Sequence, residues 1–365
     1  MLKVLSILMF IIPAALSLII HMCLRHGEVQ NMRKPVLYVL YVFVNNAITI
    51  AVSYFRGVKH IDISNMTPTY IYKYFGLACV VGFIVPFFVC LMTEDIITIG
   101  GFKRYAKKFF GDVKKYLPYA ITSAKSDLSA EVASSYLNWM WWLIEPVCMM
   151  IIYTLIFGVV FKASEDYFAI FVFIGLTLWG FFARCITGSV DMVRANRDIV
   201  TKIYMPKYIL LLAKMFVNTF KMMVSFVVIF IMMIAFKVPI NFNILWIFPA
   251  FIVLFMFTFG VSCILMHYGV YVSDLGYITG ILLQMLMYLT GVFYSIANQV
   301  PEPFGIILET FNPVAFLIAA IRNALIYRAM PFIPGLVAWG VVSLVLIAIG
   351  VFTVYSNENS YVKVI

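Results

Sequence analysis

The sequence YLNWMWWLIEPVCMMIIYTLIFGVVF, residues Tyr136–Phe161, decides the fold class of this chain. It opens with three tryptophans, Trp139, Trp141 and Trp142. Such amphipathic rings are enriched at membrane–water interfaces. Pro146 fits the first turn of a helix, where its missing N–H costs nothing, and Glu145 suits the positive end of the helix dipole. Because residues 147–161 carry no charge, the pattern predicts an interfacial helix that bends into a membrane span.

Apolar residues dominate the whole chain of 365 residues, of which 64% are hydrophobic and only 12% are charged. A soluble domain is nearer half apolar and a quarter charged. Apolar runs of about 20 residues, long enough to cross a bilayer, recur along the length. The composition therefore predicts an all-α polytopic membrane protein. The net charge of +10 then indicates basic loops on the cytoplasmic side rather than a nucleic-acid partner.

Cysteine and histidine offer no metal-ligand spacing. The six cysteines lie in or beside apolar runs without a C-x-x-C pair, so we interpret them as small packing residues. The four histidines are scattered, and the sequence predicts neither a metal nor a cofactor bound by the chain itself. The apolar core of residues 1–24 is long for a signal peptide, so a retained span is predicted.

Residues 1–98 are predicted to form an N-terminal extension of three spans, at about 4–24, 35–54 and 74–98. The linker that follows, 99–126, has apolar residues at helical steps of three and four: Phe102, Tyr105, Phe109, Phe110, Val113, Tyr116 and Leu117. Its other face is basic: Lys103, Arg104, Lys107, Lys108, Lys114 and Lys115. This pattern predicts an amphipathic helix on an anionic membrane surface, with a solvated basic linker as the alternative. Either is cytoplasmic by the positive-inside rule.

Residues 127–365 are predicted to form a six-span domain. Its spans cover about 147–161, 167–189, 222–236, 245–269, 278–295 and 335–355. Before the last span, the apolar pieces 304–311 and 314–327 are each too short to cross. They are separated by Pro301, Pro303, Asn312 and Pro313. We interpret them as re-entrant helices of the outer leaflet; with the linker inside, the N-terminus is outside and the C-terminus cytoplasmic.

Four motifs follow one another in this domain. They are W-x-x-x-E-P (Trp141–Pro146), M-x-x-x-x-x-x-F-G-V-x-F (Met150–Phe161), N-R-D-I-V-T-K-I-Y-M-P-K-Y-I-L (Asn196–Leu210) and N-P-V-A-F-L-I-A-A-I-R (Asn312–Arg322). In this order and spacing they resemble the membrane (permease) subunit of a type-2 ABC exporter. The similarity is strongest to the branch that exports polysaccharides, O-antigens and teichoic acids, and it covers about residues 125–360.

The resemblance implies a permease homodimer that works with two copies of a cytoplasmic ABC ATPase subunit, which bind ATP and Mg. It implies that the cargo is a lipid-linked glycan, which is moved outward across the cytoplasmic (inner) cell membrane. The permease itself is embedded in that membrane and contacts its lipids. Residues 125–140 are implied to form an interface helix, and 194–206 a coupling helix seated in a groove of the ATPase. The chain departs from the family at Glu131, in a region that is usually basic, and at Asn138, which replaces a glycine. Residues 1–98 lie outside the family core. They could be a docking module for a partner or an extension that packs on the domain, and the sequence leaves both open.

Three groups of residues are candidates for function. For ATPase coupling they are Arg194, Asn196, Arg197, Asp198, Lys202, Ile203 and Tyr204. For the interface helix they are Tyr136, Trp139, Trp141, Trp142 and Glu145, and for the re-entrant region Asn312, Pro313 and Arg322. A short basic helix with a hydrophobic bump can insert into a cleft of a partner, although a plain cytoplasmic loop has a similar composition.

Lys207, Lys214 and Lys221 are seven residues apart and fall on one stripe of a helix. An ammonium inside the apolar boundary is costly, so a functional role is expected there. We predict that Lys214 and Lys221 line a substrate path and attract an anionic head group such as a pyrophosphate. Snorkelling of both lysines to lipid phosphates is the alternative.

The chain contains no G-x-x-x-x-G-K-[ST] loop and no Gly-Lys pair. The sequence therefore predicts a transporter permease, not an enzyme, with ATP hydrolysis on a separate subunit. A permease for a drug or small lipid would keep the same fold. A polyprenyl-dependent membrane glycosyltransferase would need acidic residues on a sizeable outer loop, whereas Glu165 and Asp166 lie on a short one. A non-catalytic scaffold or channel also stays open.

Overall fold

The structure is a computed structural model whose described residues form helices and turns and contain no strand. They are residues 11, 13–15, 17–18, 34–55, 78, 81–82, 85–86, 99–133, 136–161, 165–202, 204–239, 241–301 and 304–364. This helical architecture confirms the prediction of an all-α protein.

Within these residues the helices are α1 Lys34–Phe55, α2 Ile99–Ala133, α3 Trp141–Tyr153, α4 Phe168–Val190, α5 Met192–Ala195, α6 Arg197–Lys202, α7 Lys207–Ala235, α8 Ile247–Tyr271, α9 Leu275–Leu289, α10 Ile296–Gln299, α11 Phe304–Phe311, α12 Pro313–Leu325 and α13 Ile333–Val364. A 3₁₀ turn over Asn138–Met140 precedes α3, and another over Phe242–Trp246 precedes α8. A π-helical segment, Thr154–Val160, continues α3.

Five helical segments among the described residues are long and apolar enough to cross a membrane. They are Trp141–Val160, Phe168–Val190, Lys207–Ala235, Phe242–Tyr271 and Ile333–Glu358. The apolar stretch 278–295 is helical only to Leu289, because the chain turns at Gly291, whose φ is +67°. With 15 residues, α9 is roughly 22 Å long, shorter than a hydrocarbon core of about 30 Å.

The chain divides into two compact units, one of which comprises residues 1–107 and 301–311. In that unit, Asn45 on α1 is buried and donates a 2.7 Å hydrogen bond to Ser17 Oγ, which in turn donates to the carbonyl of Gly82. Helix α1 coincides with the predicted second span. Most of the predicted first and third spans lie outside the described residues.

The other unit comprises residues 108–300 and 312–365 and is built around α4. Most side chains of α4 are buried, chiefly against α7 and α8. Helix α13 packs closely along α8 because Gly260 faces it without a side chain: a Cβ there would lie 2.7 Å from Leu346 Cβ. The core therefore lies among α4, α7, α8 and α13.

The amphipathic pattern of residues 99–126 belongs to a longer helix, α2, which runs without interruption to Ala133. Much of its apolar side packs on the protein core instead of on a membrane: Phe109, Val113, Tyr116, Tyr119, Ala120 and Ala124. A second apolar stripe stays exposed: Phe110, Leu117 and Ile121. The segment is helical, and the exposed stripe is the part that can contact lipid.

Pro146 does not occupy the first turn of its helix, and that prediction was wrong. Helix α3 begins at Trp141, after the 3₁₀ turn, so Pro146 lies in the second turn. There the missing N–H leaves the carbonyl of Trp142 without its usual helical partner. Glu145 is exposed near the same helix end. The aromatic cluster had already started the helix upstream of the proline.

Candidate functional site

The predicted coupling segment lies between α4 and α7 as two short helices, α5 and α6. Two of its candidate residues are engaged within the chain. Arg194 Nη2 donates a 3.0 Å hydrogen bond to the carbonyl of Val270, and Asn196 Nδ2 donates a 2.8 Å bond to the carbonyl of Met192. Arg194 and Asn196 therefore fasten the segment to the end of α8 and to α5.

The remaining described residues of this group point outward. Arg197 and Asp198 are exposed, and Asp198 forms a solvent-exposed ion pair with Lys202 at 3.7 Å, one turn apart. Tyr204 is 70% exposed although it is aromatic. Ile203 lies outside the described residues. The outward face of α6 and Tyr204 thus forms a small surface of mixed charge with one large ring.

Lys207, the first residue of the lysine stripe, is buried at the start of α7. Its Nζ lies 3.8 Å from Glu358 Oε1 and donates a 3.1 Å hydrogen bond to the carbonyl of Met205. Both charged side chains are less than a tenth exposed. Such a buried pair fixes the start of α7, directly after Pro206, against α13, because either charge alone would be costly there.

A chain of hydroxyl groups joins the same helices to α2. Tyr355 on α13 donates a 2.6 Å hydrogen bond to Asp112 Oδ2 on α2. The hydroxyls of Tyr208 and Tyr355 are 2.6 Å apart, so Tyr208 donates to Tyr355, whose proton is already committed. Lys108 Nζ lies 4.4 Å from the centre of the Tyr355 ring. This network was not predicted from the sequence.

Lys214 and Lys221 converge on one carboxylate, that of Glu131 at the end of α2. Lys221 Nζ lies 2.5 Å from Glu131 Oε2, and Lys214 Nζ lies 3.9 Å from Oε1. The Lys221 side chain is only 19% exposed. The sequence singled out Glu131 as a departure from the family pattern, but no local signal connected it with residues more than 80 positions later.

The aromatic residues at the start of α3 divide into exposed and packed rings. Tyr136, Trp139 and Trp141 are all exposed. Trp142 instead packs edge-on against Phe220, with ring centres 5.6 Å apart. Since Phe220 directly precedes Lys221, the start of α3 lies beside the pair that Glu131 forms.

The predicted break at Asn312 is present, and it separates α11 from α12. The Asn312 side chain accepts hydrogen bonds from the N–H groups of Val314 and Ala315 at 3.1 and 3.2 Å, as an N-cap does. Pro313 occupies the first position of α12, where a proline is favoured. Asn312 Nδ2 also donates to Thr290 Oγ1 at 2.8 Å. Asn312 and Pro313 thus start α12 and join it to the end of α9.

Arg322 is buried on α12, with 4% of its surface exposed. Its guanidinium donates to three backbone carbonyls, those of Phe171, Gly291 and Val292, at 2.7 to 3.1 Å. The same group lies 3.4 Å from the centre of the Phe171 ring. Arg322 therefore fastens α12 both to α4 and to the turn after α9, a role that the motif alone did not reveal.

The described residues thus form an all-α domain of membrane-crossing helices, with a short charged helix exposed between two of them. The family model described as ABC-2 type transporter matches residues 122–326, more than half of the chain. The chain belongs to this family and is the permease component of a transporter that works with a separate ATPase subunit. The matched region contains every described candidate residue of the three groups and both lysines.

Individual proteins of this family are also similar to the chain. An O-antigen export system permease protein RfbA from Myxococcus xanthus is 24% identical over 237 residues, which cover 65% of this chain and 91% of that protein. A protein of the same name from Klebsiella pneumoniae is 26% identical over 204 residues, covering 56% of this chain and 78% of the relative. The resemblance seen in the four motifs is confirmed.

Proposed function

We propose that the chain is the membrane subunit of an exporter that moves a lipid-linked polysaccharide outward across the cytoplasmic membrane. The observation that carries the proposal is the position of Lys214 and Lys221. They lie about 7 and 14 residues beyond Lys207, or roughly 10 and 21 Å along a membrane-crossing helix. The names of the curated relatives support a glycan of the O-antigen type as cargo.

The contacts of the two lysines favour a substrate path over snorkelling. A snorkelling lysine extends its ammonium toward the lipid head groups. Here both ammonium groups instead approach the carboxylate of Glu131 on α2; the Lys221 side chain is 19% exposed and that of Lys214 is 40% exposed. An ionisable residue inside a membrane domain is by default a candidate for an ion or substrate pathway. A phosphate or pyrophosphate that links a glycan to its lipid is the anion they would attract.

The exposed face of α6 supports a docking role in ATPase coupling. Arg197, Asp198, Lys202 and Tyr204 are exposed, while Arg194 attaches the segment to the end of α8 and Asn196 bonds back to α5. A ring and charges held on a fixed short helix can seat in a cleft of a partner and transmit its motion. In the proposed complex two ATPase subunits bind ATP and Mg, one beneath each permease.

Two weakly buried helices support the proposal of a permease homodimer. In α3 only Met150 is buried, and in α9 only Thr279 and Leu283. Gln284, near the middle of α9, is exposed, and an amide facing hydrocarbon costs free energy unless it finds a partner. A second copy that packs on α3 and α9 would cover these faces and enclose a path between the subunits.

Reconstitution with the partner tests the proposed function. The permease and an ATPase encoded beside it would be purified together and placed in proteoliposomes with a polyprenyl-linked glycan. We expect ATP-dependent transfer of the glycan across the membrane, and no ATP hydrolysis by the permease alone. Transfer of a drug or simple lipid without any glycan transfer, or ATP turnover by the isolated chain above background, would refute the proposal.

A further inference from the structure

Glu131 lies between two cations that are two turns apart on another helix, α7. Its two carboxylate oxygens are divided between Lys221, at 2.5 Å, and Lys214, at 3.9 Å. About a third of the Glu131 side chain is exposed. The lysines that are proposed to meet a phosphate are thus already occupied by an anion of the protein itself.

A phosphate is a better match for this pair of lysines than a carboxylate. It offers more negative charge and more acceptor oxygens, so it can satisfy both ammonium groups at once.

We propose that the Glu131 carboxylate is a built-in stand-in for the substrate phosphate, which holds Lys214 and Lys221 while the site is empty and is displaced when a lipid-linked phosphate binds. This inference rests on the proposed export function and adds how the two lysines are neutralised when no substrate is bound. The Lys221 ammonium, on a side chain that is only 19% exposed, would be costly in a membrane domain without an anion. Glu131 removes that cost until substrate arrives.

Displacement of Glu131 would release one end of α2. About five turns earlier, α2 is held by Asp112, through Tyr355 and Tyr208, beside the start of α7. The residues after Glu131 lead directly to Trp142, whose ring packs on Phe220 next to Lys221. Arrival of substrate would therefore release the Glu131 end of α2 from α7.

The experiment measures binding to the purified full chain in phosphatidylcholine nanodiscs. The probe is a long-chain polyprenyl phosphate, compared with the neutral polyprenol and with inorganic phosphate. Glu131→Gln removes the competing charge while keeping the shape of the side chain. We expect this variant to bind polyprenyl phosphate about tenfold more tightly than the wild type, which corresponds to a gain of about 1.4 kcal/mol in binding free energy. Lys221→Met is expected to lose most of the binding in either background.

The control is Asp127→Asn, which neutralises an acid one turn earlier on α2 and should leave the affinity unchanged. Glu131→Asp keeps the charge on a shorter side chain and should bind with intermediate affinity. Thermal unfolding of each variant confirms that it is folded. Equal binding of inorganic phosphate would overturn the assignment to a lipid-linked phosphate.

Two further outcomes separate this inference from the function it rests on. If Lys221→Met loses binding but Glu131→Gln binds no tighter than the wild type, the stand-in is refuted and the substrate path is kept. If neither the wild type nor Glu131→Gln binds polyprenyl phosphate, the substrate path itself is refuted.

Discussion

Tyr355 donates a 2.6 Å hydrogen bond to Asp112 across 243 residues of chain. The bond joins the last helix, α13, to α2, and Tyr208 extends it to the start of α7. Helix α2 is consequently attached to these helices at two places, by Asp112 in its first half and by Glu131 near its end. From Lys108 onward, the predicted linker belongs to the same compact unit as α7 and α13.

Loss of the Asp112–Tyr355 bond is expected to destabilise the domain. Tyr355→Phe removes the hydroxyl that donates to Asp112, and Asp112→Asn weakens the acceptor of the same bond. Each variant is expected to lose about 1–2 kcal/mol of unfolding free energy. The thermal midpoint in detergent should fall by a few degrees, and the double variant should be no worse than the sum. Tyr271→Phe removes an exposed bond to Ser360 and serves as the control. Unchanged midpoints in both single variants would contradict the network.

Reversal of the exposed coupling surface should uncouple the permease from its ATPase without unfolding it. In the double variant Arg197→Glu with Tyr204→Ala, both changed side chains are exposed, so insertion should be normal. We expect loss of the ATPase in pull-down and loss of export. Lys237→Glu, an equal charge reversal at the far end of α7, is the control. Intact association and export in the double variant would exclude α6 as the coupling helix.

Charge at position 221 should matter for export. Lys221→Met leaves Glu131 with only the more distant Lys214, whereas Lys221→Arg keeps a cation within reach. At matched expression we expect the Met variant to lose export and the Arg variant to keep much of it. Lys237→Met, outside the pair, should export normally. Full export by Lys221→Met would reject a role of Lys221 in the substrate path and favour snorkelling as the explanation for its position.

Arg322 should be essential for the attachment of α12. Arg322→Met leaves three buried carbonyls without their donor, and Arg322→Lys cannot reach all three. Each lost bond is worth about 1 kcal/mol, so we expect the thermal midpoint to fall by roughly 5–10 °C in the Met variant and somewhat less in the Lys variant. Arg328→Lys changes an exposed arginine nearby and should have no effect. A stable Arg322→Met protein would show that other contacts hold α12.

Single cysteines in a cysteine-free background test the orientation. Lys114→Cys and Thr201→Cys should be protected from a membrane-impermeant thiol reagent in intact cells and labelled in inverted vesicles. Asn298→Cys should show the opposite pattern. All three positions are exposed, so burial does not hide them. If Lys114→Cys is labelled from outside, the predicted orientation is wrong and every later span runs in the opposite direction.

The candidate site was predictable where the signal is local. The N-R-D-I-V-T-K motif predicted a short charged segment, and α6 exposes its charges as expected. Asn312 and Pro313 predicted a break between two short helices, and the structure has one there. An asparagine cap followed by proline is a local signal for such a helix start. Tyr204 of the hydrophobic bump is exposed, whereas Met205, which follows it, is buried.

The sequence by itself determined the all-α class, the apolar spans, the amphipathic α2 and the break at Asn312, because hydropathy, spacing and capping act over a few residues. Only the tertiary structure decided that Glu131 meets Lys221, that Asp112 meets Tyr355 and that Arg322 binds carbonyls of α4. These partners are separated by 90 to more than 240 positions, and no periodic pattern records which buried charge faces which. Their pairing follows from helix packing, since a polar group inside an apolar domain must find a partner wherever the fold brings one.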